Sequence, residues 1–299
     1  MPELPDILLY IGALRTRIAG EPLEHARIAS PFLVRSVRPS PQDLEGHVVT
    51  GIERLGKRIV LAFEDERFAV LHLMIAGRLH WKPKGAPVPG RVGLAAFDFP
   101  SGTLTLTEAG ARKRASLHVV GGREALAALD PGGVDPLTVD RATFAERLRA
   151  ANHTLKRSLT DPRILSGIGN AYSDEILHAA RLSPLQLTSR LDDAGLRALY
   201  EATRTTLRDW TARLAAGAGD AFPERVTAFR EGMAVHGRYG QPCPRCRAPV
   251  QRISYADGEC NYCAACQTGG RLLADRGLSR LLKTDWPRTL EELESLKRR

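Results

Sequence analysis

No run of eighteen apolar residues occurs anywhere in the 299-residue chain, so the sequence offers no helix able to cross a membrane. The N-terminus lacks a basic stretch followed by an apolar one, so no secretory leader is expected. There are no internal repeats, which argues against a solenoid. Cysteine is scarce, at five residues. Nothing points to an oxidising compartment, so disulfides are the weaker use of those five. Acidic residues are outnumbered, 34 against 43 Lys and Arg, giving a formal net charge of +9 and a pI of about 9.6. What remains is a soluble intracellular protein, expected to be a monomer. Its apolar content of 43% is ample for two or three cores. Its charge suits a polyanion, nucleic acid above all.

Four of the cysteines form the sharpest motif. Cys243, Cys246, Cys263 and Cys266 read Cys-x2-Cys, sixteen residues, Cys-x2-Cys. Each pair lies at a tight turn, so all four thiolates can face one centre, and Zn²⁺ takes four such ligands in a tetrahedron. The arm between the pairs alternates as a β-hairpin does, with a turn expected at Asp257-Gly258. So small a hairpin cannot bury a core, and metal binding must supply most of its folding energy. One structural zinc ion is therefore expected, with Cys260 a spare thiol.

The rest of the chain divides by pattern into a multidomain α+β protein. Residues 1–130 read as a β-sandwich preceded by one helix, with Ile7, Ile11, Leu14 and Ile18 at helical spacing and Asp6 as its N-cap. Short alternating runs follow, among them "HVVTGIERL", "RIVLAFE", "FAVLHLM" and "VGLAAFDF", separated by Gly, Pro or Asp. "DPGGVDP" is a linker. Residues 137–235 are helical, with Leu196, Leu199, Thr203, Leu207, Trp210 and Leu214 along one long helix. Residues 237–270 are the zinc hairpin, and 271–299 form a C-terminal extension. There Leu272, Leu273, Leu278, Leu281, Leu282 and Trp286 imply docking, and Thr289-x-x-Glu292 opens a last helix.

Residues 155–184, "LKRSLTDPRILSGIGNAYSDEILHAARLSP", point to a partner. One helix stops at Asp161-Pro162, a turn holds Gly167 and Gly169, and a second helix begins at Asn170. Glycines let the backbone approach a ligand, and the free N–H groups of the new helix suit an anion. Asn170 can donate as well. With Lys156 upstream and a basic hairpin downstream, the anion expected is a DNA phosphate.

"GIGNAYSDEIL" resembles the helix–two-turn–helix segment of the formamidopyrimidine-DNA glycosylase and endonuclease VIII family. "VHGRYGQPCPRC" with "NYCAACQ" resembles its zinc finger, "MPELPD" its catalytic N-terminus, and "RLGKRIVL" its lysine-bearing strand turn. The likeness runs from residue 1 to about 267. It implies a base-excision repair glycosylase with AP lyase activity, acting on damaged or base-free DNA in the cytoplasm, or on the nucleoid in a bacterium. Removal of Met1 frees the secondary amine of Pro2, less basic than a lysine and able to form an imine at C1′. Glu3 beside it can shuttle protons, and Lys57 is implied to grip the lesion's phosphate.

A base must leave the stack to be reached, and side chains fill the gap behind it. In the family these are a methionine, an arginine and a phenylalanine. Here Ile75 stands at the methionine position with Met74 beside it. "TEAGARKRAS" offers Arg112, Lys113 or Arg114 for the arginine and no phenylalanine. Asp6 replaces a glutamate, and Gly258 stands where the hairpin tip carries an arginine. The loop that caps oxidised purines in one branch is short here. These losses favour a non-catalytic binder of damaged DNA on the same scaffold; Pro2, Glu3, Lys57 and Asn170 together favour the enzyme.

Overall fold

The structure, a computed structural model, describes residues 1–299 except 111, 225, 228, 256, 257, 275–285, 298 and 299. The chain forms two compact units, Met1–Gly133 with Asp209–Ala228, and Val134–Arg208 with Phe229–Arg299.

The first unit is a β-sandwich with a helix in its core. Helix α1 spans Leu4–Ile18 and buries Ile7, Tyr10, Ile11, Leu14 and Ile18, the stripe that the spacing predicts. Its cap differs from the expected one. Glu3 is the N-cap, and Asp6 is the third helical residue of a reciprocal capping box in which Glu3 N donates to Asp6 Oδ2 at 2.8 Å. Proline at the second helical position has no N–H to lose there, so the helix begins one turn earlier than Asp6 suggests.

Eight strands follow in two antiparallel sheets. One has the order β1 (His25–Ile28), β6 (Gly93–Phe99), β7 (Gly102–Glu108), β5 (Gly77–Lys82). The other has the order β2 (Val49–Leu55), β3 (Arg58–Phe63), β4 (Arg67–His72), β8 (Ser116–Gly121). Their inner faces meet α1 in one core that holds Ile52, Ile59, Leu61, Leu71, Leu79, Phe97, Phe99, Leu106 and Val119. The outer face of the second sheet carries a smaller cluster of Val60, Ala62, Phe68 and Val70 with Leu126 of the short helix α2 (Arg123–Ala127). From the later segment, Phe222 enters the main core against Tyr10 and Trp81, with ring centroids 5.9 and 6.5 Å away.

In the second unit, α3 (Arg141–Arg149) buries Phe144 edge-on to Tyr200. Helix α4 (Leu155–Thr160) is capped by the Thr154 hydroxyl and ends at Asp161, where Pro162 forbids continuation. The turn through Gly167, at φ +91°, delivers the chain to α5 (Asn170–Ala180). Helix α6 (Asp193–Ala218) buries Leu196, Leu199, Thr203, Leu207 and Trp210 along one face and carries the chain back into the first unit. Strands β9 (Val250–Tyr255) and β10 (Gly258–Cys263) make the hairpin, followed by α7 (Ala264–Thr268).

Gly258 pairs with Tyr255 inside the ladder, so it opens β10 rather than forming the turn; Asp257 lies outside the described residues. The extension docks as its leucines imply. Leu272 and Leu273 pack with Ile253, Cys260 and Tyr262, covered by Leu290 and Leu293 of α8 (Leu290–Lys297). Thr289 Oγ1 accepts from Glu292 N, while the Glu292 carboxylate reaches back to Arg288 N at 2.6 Å. Leu278, Leu281 and Leu282 lie outside the described residues.

Candidate catalytic N-terminus and nucleic-acid interface

The first unit gathers charge around the chain's beginning. The capping box holds residues 3–6 in one conformation, so Pro2 leaves the helix in a fixed direction and is buried together with Glu3 and Asp6. The α-amine of Met1 is depressed below its ordinary value, chiefly because burial strips water from the ammonium. Arg78 and Lys57 push the same way, while Glu3 and Asp6 oppose them. The amine, two carboxylates and two cations therefore share one electrostatic neighbourhood.

Lys57 sits half-buried in the two-residue turn between β2 and β3, where Gly56 at φ +63° permits the tight reversal. Arg78 is the second residue of β5 and donates to the carbonyls of Gly77 at 2.7 Å and Ile75 at 3.2 Å. Sequence reasoning missed Arg78. The alternation of "GRLHWK" was the available signal, since it puts Leu79 and Trp81 inward and Arg78 on the other face.

His72, at the end of β4, was missed as well. Burial and then Arg58, Lys57 and His118 push its imidazole down to about 4, so the ring is neutral near pH 7. Its Nε2 is buried and has no hydrogen-bond partner among the described residues.

The turn between β4 and β5 separates the two wedge candidates. Gly77 N donates to Leu73 O at 2.8 Å, and a Cβ at Gly77 would stand 2.3 Å from that oxygen, so only glycine closes the turn. Ile75 projects from it 52% exposed, whereas Met74 is half-buried in the left-handed region at φ +52°. The geometry presents Ile75 and holds Met74 back. Arg112, Lys113 and Arg114 are all exposed on the loop before β8. The buried Glu108 carboxylate anchors that loop by accepting from the backbone N–H of Arg114 at 2.8 Å and Ala115 at 3.1 Å, and Lys113 Nζ donates to the Glu108 carbonyl.

In the second unit, α5 grips the cysteine hairpin along one face. Asn170 Nδ2 donates to Glu259 O at 2.7 Å. Asp174 accepts from His236 Nδ1 at 2.8 Å and from Asn261 N at 3.1 Å. Glu175 accepts the backbone N–H groups of Ala234, Val235 and His236 at 2.7, 2.9 and 2.9 Å. Residues 170, 174 and 178 are four apart, so their side chains stack along one side of the helix.

Lys156 belongs to this network rather than to an open surface. It is 8% exposed, and its Nζ donates to Asp174 Oδ1 at 2.6 Å and to Asn170 O at 2.7 Å. That ammonium is committed within the protein, unlike the free phosphate donor that the sequence suggests. Arg252 is likewise engaged, 4.4 Å above the Tyr239 ring and 3.4 Å from Glu259 Oε2.

The four cysteine Sγ atoms lie within 4.8 Å of one another, with Cys246–Cys263 at 3.3 Å and Cys243–Cys266 at 4.0 Å. Thiolates about 2.3 Å from a zinc ion are spaced about 3.8 Å apart, so the cluster fits one tetrahedral ion. The thiols respond as a crowded set. Burial works against the Cys246 thiolate, but donation from the Ala248 N–H and its sister thiols brings it below the usual range. Burial raises Cys263, and Cys266 to about 11. Only a bound cation would let all four ionise together. Cys260 is buried beside Asp174, its thiol pushed up by burial and that carboxylate, outside the four-cysteine group.

Residues 1–117 match the formamidopyrimidine-DNA glycosylase N-terminal domain, and residues 133–218 match the family's H2TH domain. A formamidopyrimidine-DNA glycosylase of Mycolicibacterium gilvum is 30% identical over 286 residues, covering 91% of this chain and all of that protein. An uncharacterized formamidopyrimidine-DNA glycosylase-like protein of Mycobacterium tuberculosis is 44% identical over 151 residues, covering 50% of this chain and 94% of that protein. The Lactococcus lactis enzyme, solved non-covalently bound to DNA containing an AP site, superposes with a TM-score of 0.78 at 24% identity, over 89% of this chain and 99% of that one. Among the described residues, no helix is long and apolar enough to cross a membrane.

Proposed function

The chain belongs to the formamidopyrimidine-DNA glycosylase family, and from the buried Pro2 and Glu3 at its N-terminus we propose a bifunctional glycosylase and AP lyase acting on damaged or base-free DNA. The burial of Pro2, Glu3 and Asp6 together at the start of α1, with Lys57 and Arg78 in the field of the chain's first amine, is the observation that carries this reading. With Met1 removed, the Pro2 nitrogen takes the N-terminal position beside Glu3, Asp6, Arg78 and Lys57. A neutral secondary amine there attacks C1′, the bond from C1′ to the base breaks, and the base leaves with the electron pair. Glu3 supplies a proton to the sugar ring oxygen as the ring opens to the iminium. Loss of a C2′ proton then expels the 3′ phosphate and nicks the strand. Lys57 and Arg112 hold phosphates on the first unit, and Ile75 fills the gap left by the extruded nucleotide.

On the second unit, Asn170 keeps one amide N–H for a phosphate after donating the other to Glu259. Lys156 positions Asn170 through its carbonyl. Cys243, Cys246, Cys263 and Cys266 hold one zinc ion, which supplies folding energy to the hairpin and no chemistry.

Borohydride reduction on an oligonucleotide containing a base-free site tests this. The processed protein should become covalently attached at Pro2, and a form retaining Met1 should not. Attachment to a lysine while a blocked Pro2 still traps would overturn the assignment.

A further inference from the structure

His178, near the end of α5, is buried and takes no part in the chemistry described above. Its ring reaches the cysteine cluster. Nε2 lies 3.3 Å from Cys243 Sγ, and Cys243 is buried as well, so the two atoms meet away from water. The helix end is also held from the other side. Arg245, inside the first Cys-x2-Cys knuckle, donates from Nη1 to the His178 carbonyl at 3.1 Å. The second knuckle is tied to the chain just beyond α5. Cys263 N donates to Gln267 Oε1 at 2.8 Å, and Gln267 Nε2 donates to Leu182 O at 2.9 Å. Both knuckles therefore rest on the C-terminal end of the helix that begins at Asn170. The sulfurs differ in what they meet. Cys246 accepts from the Ala248 N–H and Cys263 from the Cys266 N–H, both of the backbone. Cys243 meets an imidazole.

A thiolate bound to a cation has lone pairs but no proton to give. Once the four cysteines hold an ion, the imidazole must be the donor in this contact. Four thiolates around one divalent cation also leave a surplus of negative charge. N–H groups aimed at the sulfurs offset it, and such bonds to a charged acceptor are stronger than neutral ones, the more so where water is excluded. We propose that His178 is a positioning residue of the zinc centre: its Nε2–H donates to the Cys243 thiolate, strengthens the hold on the ion and locks the first knuckle onto α5. The proposal rests on the reading above that the four cysteines hold zinc. His178 is not itself a ligand, because the four Sγ atoms within 4.8 Å of one another already complete a tetrahedral set. Nor is it filler beneath the hairpin. An apolar ring would occupy the same space but leave a buried thiolate without its donor.

The test uses the full chain and two measurements. In the first, the protein is ¹⁵N-labelled at histidine and loaded with ¹¹³Cd in place of zinc. Wild type should show the His178 ring protonated at Nε2, with that proton scalar-coupled to the metal through the sulfur. The second is zinc affinity by competition with a chelator. His178→Phe should lose roughly tenfold to a hundredfold, the range for lost partners of metal ligands. His178→Gln, which sets an amide N–H near the place of Nε2, should recover most of that loss. Arg245→Ala, which frees the helix end but leaves the sulfur its donor, should lose less than His178→Phe. Undiminished affinity in His178→Phe, a glutamine variant as weak as phenylalanine, or no coupling in wild type overturns the role of His178. Should His178→Phe fail to fold, the coupling in wild type decides alone. If wild type binds one zinc ion and no variant differs from it, the role of His178 alone falls; if wild type binds neither zinc nor cadmium, the metal reading falls with it.

Discussion

Asn170 donates its side-chain amide to the carbonyl of Glu259 at 2.7 Å, so the start of α5 and the hairpin's second strand present one surface. An ideal Cβ on Gly258 would meet nothing nearer than Asn170 Nδ2 at 3.9 Å, and Gly258 is not among the glycines at positive φ. An arginine therefore fits at Gly258 without backbone strain, next to the amide proposed to hold a phosphate. Gly258→Arg should raise single-turnover cleavage of duplexes carrying a paired lesion by about tenfold, the effect of one good charge-assisted contact of roughly 1.5 kcal/mol. It should change nicking of base-free sites less, because flipping is easiest where the base is already gone. An equal gain on both substrates would show that the arginine acts on general affinity, not on extrusion.

The metal assignment separates Cys260 from its neighbours. Cys260 is buried in an apolar cluster with Ile253, Tyr262 and Leu273, whereas the other four converge within 4.8 Å. Cys260→Ser should keep one zinc ion per chain by elemental analysis. Cys263→Ser should lose it and, with it, protection of the hairpin amides from hydrogen exchange. Zinc loss in both variants would place Cys260 among the ligands.

Much of this was legible in the sequence, and the misses have physical causes. The cysteine spacing and the Gly167-x-Gly169 turn announce themselves because metal geometry and tight turns tolerate few residues. Six strands and the α1 stripe follow from periodicity. Strand β1, only four residues long, carries too little pattern, and α3 shows only Phe144 and Leu148 as apolar anchors. Lys156 is the instructive case. A lysine in a basic segment reads as surface, and only the fold reveals that Asp174, eighteen residues later, buries it. Asp6 misleads for a related reason: the aspartate side chain serves a capping box equally well from the N-cap or three residues on.

The nucleophile's surroundings predict a pH effect of known sign. Burial lowers the Met1 α-amine first, and Arg78 adds to the lowering by disfavouring a second positive charge nearby; the Pro2 amine freed by processing is proposed to meet the same Arg78 charge. Arg78→Gln keeps a donor for the Gly77 carbonyl but removes the charge. The protonated amine is then less disfavoured, its pKa rises, and the alkaline rise in imine formation should move to higher pH. The rate of borohydride trapping against pH, measured at saturating base-free DNA, reads this directly. A shift to lower pH, or none, would remove Arg78 from the amine's field.

Two lysines that look alike in sequence should fail in opposite ways. Lys57 is half-buried in a turn, beside the proposed phosphate path. Lys57→Ala should leave stability within about 0.5 kcal/mol, as surface substitutions usually do. It should reduce the slope of log affinity against log salt by about one unit, since one fewer counterion is released. Lys156 is closed within the fold, and its removal leaves the fully buried Asp174 carboxylate with His236, one backbone N–H and the Cys260 thiol but no lysine charge. Breaking one side of a buried pair costs about 3–5 kcal/mol, so Lys156→Ala should lower the unfolding midpoint sharply. Below that midpoint the folded fraction should keep the wild-type salt slope, because no phosphate contact has been lost. Denaturant melts and salt titrations on the two variants decide the matter together: a lowered salt slope in folded Lys156→Ala would put that ammonium on the DNA after all.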